Sequence, residues 1–110
     1  MNKFEAVLLF NPDLTNQIIS KEQESFNKNI ENSKGIIVST EDWGLRNISF
    51  NIDNYKKAFY KFYQIEINGS DVQNLKKILT QNEKVLRHLF IKVENHQELP
   101  TKMNSDEEKK

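Results

Sequence analysis

The sequence predicts an α+β fold in which one four-stranded antiparallel sheet carries two helices on a single face. Four segments alternate apolar and polar residues with a period of two, and two others repeat them at helical spacing. These segments follow one another as strand, helix, strand, strand, helix, strand. The first strand is apolar on both faces, as a central strand is.

Phe4 to Phe10 opens the chain as that strand, with Phe4, Ala6, Leu8 and Phe10 on one face and Val7 and Leu9 on the other. Pro12 ends it, because proline cannot donate to a ladder. Asp13 is suited to cap a helix beginning at Leu14. Leu14, Ile18, Ile19, Phe26 and Ile30 then recur at roughly helical spacing. Gly35 suits the left-handed residue beyond its end. A long β region runs from Ile36 to Ile52, "DNYKK" supplies a turn, and Ala58 to Ile67 forms the third strand. Ser70 and Gln73 have capping-box spacing ahead of Val72, Leu75, Ile78 and Leu79. Val85 to Val93 is the last strand, with Leu86, His88 and Phe90 opposed to Val85, Leu89, Ile91 and Val93. From Asn95 to Lys110 the periodicity is lost, which predicts a mobile polar tail after a domain spanning residues 1–94.

Two strand–helix–strand crossovers of right-handed sense give a compact solution: the ferredoxin-like βαββαβ arrangement with strand order 4-1-3-2. "STEDWGLRNISF", from Ser39 to Phe50, tests it. Acidic residues beside glycine ordinarily mark a turn, which would add a fifth strand and break the two-crossover scheme. Ile36, Val38, Ile48, Phe50 and Ile52 keep one parity across the interruption, so a single long edge strand is expected. Gly44 would supply a kink or bulge. Asp42 and Gly44 share the apolar parity, so the middle of the strand is expected to leave the core.

Composition excludes several classes. There is no cysteine, hence no disulfide framework or thiolate metal site, and only His88 and His96 offer imidazole. No metal or other cofactor is expected. The apolar opening is too short to span a membrane and is broken by Glu5. It lacks a small-residue cleavage site, and a cytoplasmic chain is expected. Sixteen basic and sixteen acidic residues cancel, unlike the basic excess of a strong non-specific nucleic-acid binder. Glu41 and Asp42 are strand neighbours and point to opposite faces, so they cannot act as a catalytic carboxylate pair. No enzymatic activity is expected.

Four stretches in order carry a resemblance. "FEAVLLFNPDL" resembles an opening Tyr-Glu strand that ends in Asn/His-Pro-Asp. "EDWGLRNISFNI" resembles a segment whose usual form is Glu-Asp-Trp-Gly-Arg-Arg-x-Leu-Ala-Tyr-Pro-Ile. "KKAFYKFYQIE" and "LTQNEKVLRHLFIKVE" are similar to the third strand and to the last helix end with the fourth strand. Together, over residues 3 to about 94, they resemble the bacterial small-ribosomal-subunit protein six family. The resemblance implies a ferredoxin-like, non-enzymatic ribosomal protein. Such a protein pairs with ribosomal protein eighteen and binds the central domain of small-subunit rRNA. Two departures stand out: Leu45 replaces the first family arginine, and Phe50-Asn51 replaces Tyr-Pro. Arg46 keeps the second arginine.

Candidate contacts to rRNA or to the partner protein follow. Trp43 and Arg46 combine an aromatic and a guanidinium on an edge, a favoured interface pairing; alternatively, Trp43 simply covers the helix-free side of the sheet. Tyr60 and Phe62 are expected on that open face with Val7, Leu9 and Phe90. Covering by a protein partner is one reading of so apolar a face. The other is a stand-alone single-stranded RNA-binding module that stacks bases on the sheet aromatics. Lys56, Lys57, Lys61 and Lys92 are candidate phosphate contacts, as is Arg87, whose guanidinium suits phosphate or carboxylate.

Overall fold

The computed structural model describes residues 1–52, 55–97 and 99, without the side chains of 49–52. The elements are β1 (Asn2–Phe10), α1 (Asn16–Asn32), β2 (Ile36–Ile52), β3 (Tyr55–Ile67), α2 (Gly69–Thr80) and β4 (Val85–Val93). They form one four-stranded sheet in the order β2-β3-β1-β4, with β1 antiparallel to both β3 and β4 and β2 antiparallel to β3. This is the expected ferredoxin-like arrangement, with β2 and β4 as edges. Asp53 and Asn54 of the connection, and the expected tail except Asn95, His96, Gln97 and Leu99, lie outside the described residues.

Both helices pack on one face. Ile19, Phe26 and Ile30 of α1 and Val72, Leu75 and Leu79 of α2 share a buried cluster with Phe4, Ala6, Leu8, Phe10, Tyr63, Ile65 and Ile67. At its centre the rings of Phe26 and Tyr63 meet edge to face, 4.8 Å apart. Tyr63 is 1% exposed, and burial pushes its phenol up to about 12.

The helix termini differ from expectation. Thr15, not Asp13, caps α1: its Oγ1 accepts from the Ile18 N–H at 3.3 Å. Asp13 is held outside the helix, where its N–H donates to Asn11 Oδ1. Asn68 precedes α2 without a side-chain capping bond, so Ser70 lies inside the first turn instead of opening a capping box. Beyond α1 the left-handed residue is Lys34, at φ 61°. Gly35 serves a different need, because a Cβ there would fall 2.9 Å from Ile30 Cγ2 and 3.1 Å from the Glu66 carbonyl.

β2 is one strand of 17 residues, but its alternation slips twice ahead of a last irregularity between Asn47 and Ile52. Its register against β3 shifts between Ile37 and Ser39 and again between Asp42 and Gly44. Two one-residue bulges restore the original parity, so Ile36 and Ile48 agree while Ser39 to Asp42, between the bulges, reverse it. The middle of the strand therefore does not leave the core: Trp43 is 9% exposed. Gly44 takes φ +75° at the second bulge, where the Asp42 carboxylate accepts its N–H at 2.8 Å. β3 starts at Tyr55, so "YKK" belongs to the strand and not to the turn.

Another shift lies between Leu9 and Phe10 along the β1–β4 ladder. It corrects β4. Phe90 faces the helices, in contact with the core and 6.4 Å from Phe26, while Leu86 packs on the opposite side with Leu9 and Val7.

Candidate interaction surface on the open sheet face

The helix-free face is built of cross-strand rows fixed by the registers. One row is Gly44, Tyr60, Leu9 and Arg87; the next is Glu41, Phe62, Val7 and Leu89; a third is Ser39, Gln64, Glu5 and Ile91. The rows differ in what covers them.

Over the first two, β2 folds its own aromatic inward. The Trp43 indole lies flat on Phe62, centroids 5.0 Å apart and planes 11° apart, and continues toward Tyr60 at 6.5 Å. Its Nε1–H donates to Glu41 Oε1 at 2.8 Å, which satisfies the polar edge of a buried indole. The Arg46 Nε–H donates to the Trp43 carbonyl at 2.9 Å. Leu9, Ile48 and Ala58 complete a small apolar cluster beside Tyr60.

Phe62 is 2% exposed, so no base can stack on it while Trp43 stays in place. The arrangement speaks against the single-stranded RNA reading and gives Trp43 the role of a cover.

The third row is polar at its centre. Glu5 and Gln64 face each other on the two middle strands and are buried. Glu5 Oε2 accepts from Gln64 Nε2 at 3.0 Å and from the Gln97 main-chain N–H at 3.0 Å, and Oε1 accepts from Gln97 Nε2 at 2.9 Å. Gln64 Nε2 also donates to the Gln97 carbonyl at 2.8 Å. His96 Nδ1 stands 3.5 Å from Glu5 Oε2. Burial pushes the Glu5 carboxyl up. The Gln97 main-chain and side-chain bonds, the Gln64 bond and the nearby imidazole outweigh it and hold the carboxyl below its ordinary value. The first residues of the expected tail are thus tied to the sheet.

The cationic candidates are spread out. Lys56 and Lys57 are exposed on β3 near the β2–β3 connection, Lys57 opposite Asn47. Arg87 is exposed at the β4 edge of the open face, and Lys92, opposite Phe4, belongs to the other side of the sheet. Lys61 is buried on the helix side, its Nζ 2.7 Å from Asp42 Oδ2, and so is already neutralised. The structure brings Trp43, Arg46, Tyr60 and Phe62 together and places Lys56 with Lys57, Arg87, and Lys92 at separate positions of the sheet. Exposed apolar side chains remain at both edges: Ile36, Val38 and Leu45 on β2, and Leu89 and Ile91 on β4. Among the described residues no group of three or more His, Asp or Glu side chains converges to hold a metal ion. No described helix is long and apolar enough to cross a membrane.

Glu5, Gln64, His96 and Gln97 were not among the sequence candidates. Their signal was a carboxylate and an amide set in the two middle strands, where a buried polar group requires a partner.

Comparison with known proteins matches residues 3–92 to the family model described as ribosomal protein S6. The small ribosomal subunit protein bS6 of Rickettsia felis is 32% identical over 103 residues, spanning 94% of this chain and 85% of that protein. The protein of the same name from Buchnera aphidicola subsp. Cinara cedri is 33% identical over 112 residues, spanning 100% of this chain and 87% of its own. Among solved structures, 30S ribosomal protein S6 from Thermotoga maritima superposes with a TM-score of 0.79 at 19% identity, over 84% of this chain and 87% of that one. The C-terminal domain of the MgtC protein from Mycobacterium tuberculosis superposes with a TM-score of 0.59 at 6% identity, covering 88% and 93%. The two structural likenesses speak for the fold alone. The family match over nearly all the described residues, with relatives a third identical across most of their lengths, speaks for more: the chain belongs to the ribosomal protein S6 family.

Proposed function

We propose that this chain is a structural component of the small ribosomal subunit in the cytoplasm, and that it pairs with ribosomal protein eighteen. The pair then binds the central domain of small-subunit rRNA. Membership of the ribosomal protein S6 family supports the ribosomal role. The observation that carries the pairing is the sheet itself. Among the described residues its two edges have no neighbouring strand, and Leu89 and Ile91 stand 44% and 59% exposed beside the open face. Unpaired edges with apolar side chains favour association with another chain.

Charge supports division of labour between the two proteins. A chain with sixteen basic and sixteen acidic residues brings little net phosphate neutralisation. A basic partner would supply most of it, while Arg46, Lys56, Lys57 and Arg87 add local contacts. The reading is not enzymatic. Sedimentation of a cell lysate tests the assignment: the protein should migrate with small subunits, and migration only as a free protein would refute it.

A further inference from the structure

Glu5 and Gln64 form a built recognition site for one peptide unit. Both side chains sit on the middle strands, directly opposite each other, and are 9% and 3% exposed. Between them they take the N–H, the carbonyl and the side-chain amide of Gln97. A buried ionised acceptor makes such bonds about twice as strong as neutral ones. β4 ends at Val93, so the chain must reverse across the sheet within three residues for Gln97 to reach Glu5. Segment 95–97 therefore lies over the Glu5–Gln64 row of the open face, in which Ile91 is the β4 member.

We infer that residues 95–97 form a strap latched by Glu5 and Gln64 over the open sheet face, and that a protein partner docking on this face must lift it. This rests on the reading that the face receives a partner. The occupant in the free protein is the chain's own Gln97, seated there by three hydrogen bonds, with the Gln64–Glu5 bond holding the two receptors together. A closed latch lowers partner affinity by the fraction of molecules in which it is open. A latch closed about ten to one would thus weaken partner binding about tenfold.

Two full-length variants test this. Glu5→Gln removes one of the two carboxylate acceptors and sets an amide against the Gln97 donors. Gln97→Pro removes the main-chain donor without touching the sheet, so it retains the fold. In the unmodified protein the Gln97 amide should exchange with solvent about tenfold or more slowly than in Glu5→Gln, read by NMR in the absence of any partner. Calorimetric titration with ribosomal protein eighteen should then show a gain in affinity for Gln97→Pro that matches this protection factor. An unprotected Gln97 amide overturns the latch. A protected amide with unchanged or weakened partner affinity in Gln97→Pro overturns the gating role while the partner reading stands. No binding of the partner by any form removes the partner reading and gating with it, while exchange at Gln97 still decides the latch.

Discussion

The Trp43 indole stacks on Phe62 with its plane 11° from the phenyl ring and its centroid 5.0 Å away. This contact fastens the edge strand β2 to the face of β3, since it comes from a residue at a bulge where ladder bonding is interrupted. Removing the indole would expose Phe62 and Tyr60 and delete the N–H that the Glu41 carboxylate accepts. Trp43→Ala should cost about 3–5 kcal/mol, measured as the shift in the urea unfolding midpoint. Trp43→Phe, which keeps a ring but loses the indole N–H, should cost less.

The bulge that turns Trp43 inward depends on Gly44. An added Cβ would meet nothing within 4 Å, but φ is +75°, so the cost of a side chain lies in the backbone alone. Gly44→Ala should destabilise by roughly 1–2 kcal/mol. Gly44→Asn should lose less, because asparagine tolerates this region better. Equal losses in the two variants would contradict a backbone origin of the requirement.

Alkaline unfolding should report Tyr63. Its folded pKa, pushed up to about 12 by burial, exceeds the ordinary value of 10.0. A raised pKa means that the stabilisation is complete below pH 10 and is lost as pH rises through the folded value. Stability should fall through this window by about 2–3 kcal/mol, and Tyr63→Phe should largely remove the fall. Denaturant titrations across that range measure it.

At the acid end the sign reverses for Glu5. Its carboxyl is held below the ordinary value of 4.5, so the stabilisation is complete above that pH and is lost as pH falls through the folded value. The charged groups near it are His96 at 3.5 Å, Lys3 on the same strand face and Glu66 on the neighbouring strand. Protection of the Gln97 amide should therefore collapse on acidification below pH 4.5, before the global unfolding of the sheet. Exchange measured along a pH series follows it.

Much of this was legible in the sequence, because element order and period-two alternation are insensitive to local slips. The long β2 was recognised from Ile36 and Ile48, which agree only because two bulges cancel. For the same reason a parity count through Asp42 and Gly44 sends the middle of β2 out of the core, and Phe90 to the open face instead of the core. Parity counts assume a constant register, and a one-residue bulge reverses every side chain beyond it. Asp42 before Gly44 was the local clue, since its carboxylate binds the glycine N–H that the interrupted ladder frees. The Glu5 cluster was hidden for a different reason. Its partners lie 59 and 92 residues away in the chain, and only the folded register joins them.

Leu45 offers a direct test of the proposed rRNA contact. It is 47% exposed opposite Phe59 on the edge strand, where the family's usual form has arginine. Leu45→Arg should strengthen rRNA binding by the pair and steepen the salt dependence of log affinity by about 0.7–0.9 per added phosphate contact. An unchanged slope would show that this position does not meet phosphate.

The central claim is that the chain acts as half of a protein pair. Filter binding to the central domain of small-subunit rRNA, with and without ribosomal protein eighteen, tests it most directly. The account predicts weak binding by the isolated chain and a large gain when the partner is added. Tight, salt-sensitive binding by the isolated chain, unchanged by the partner, would contradict it.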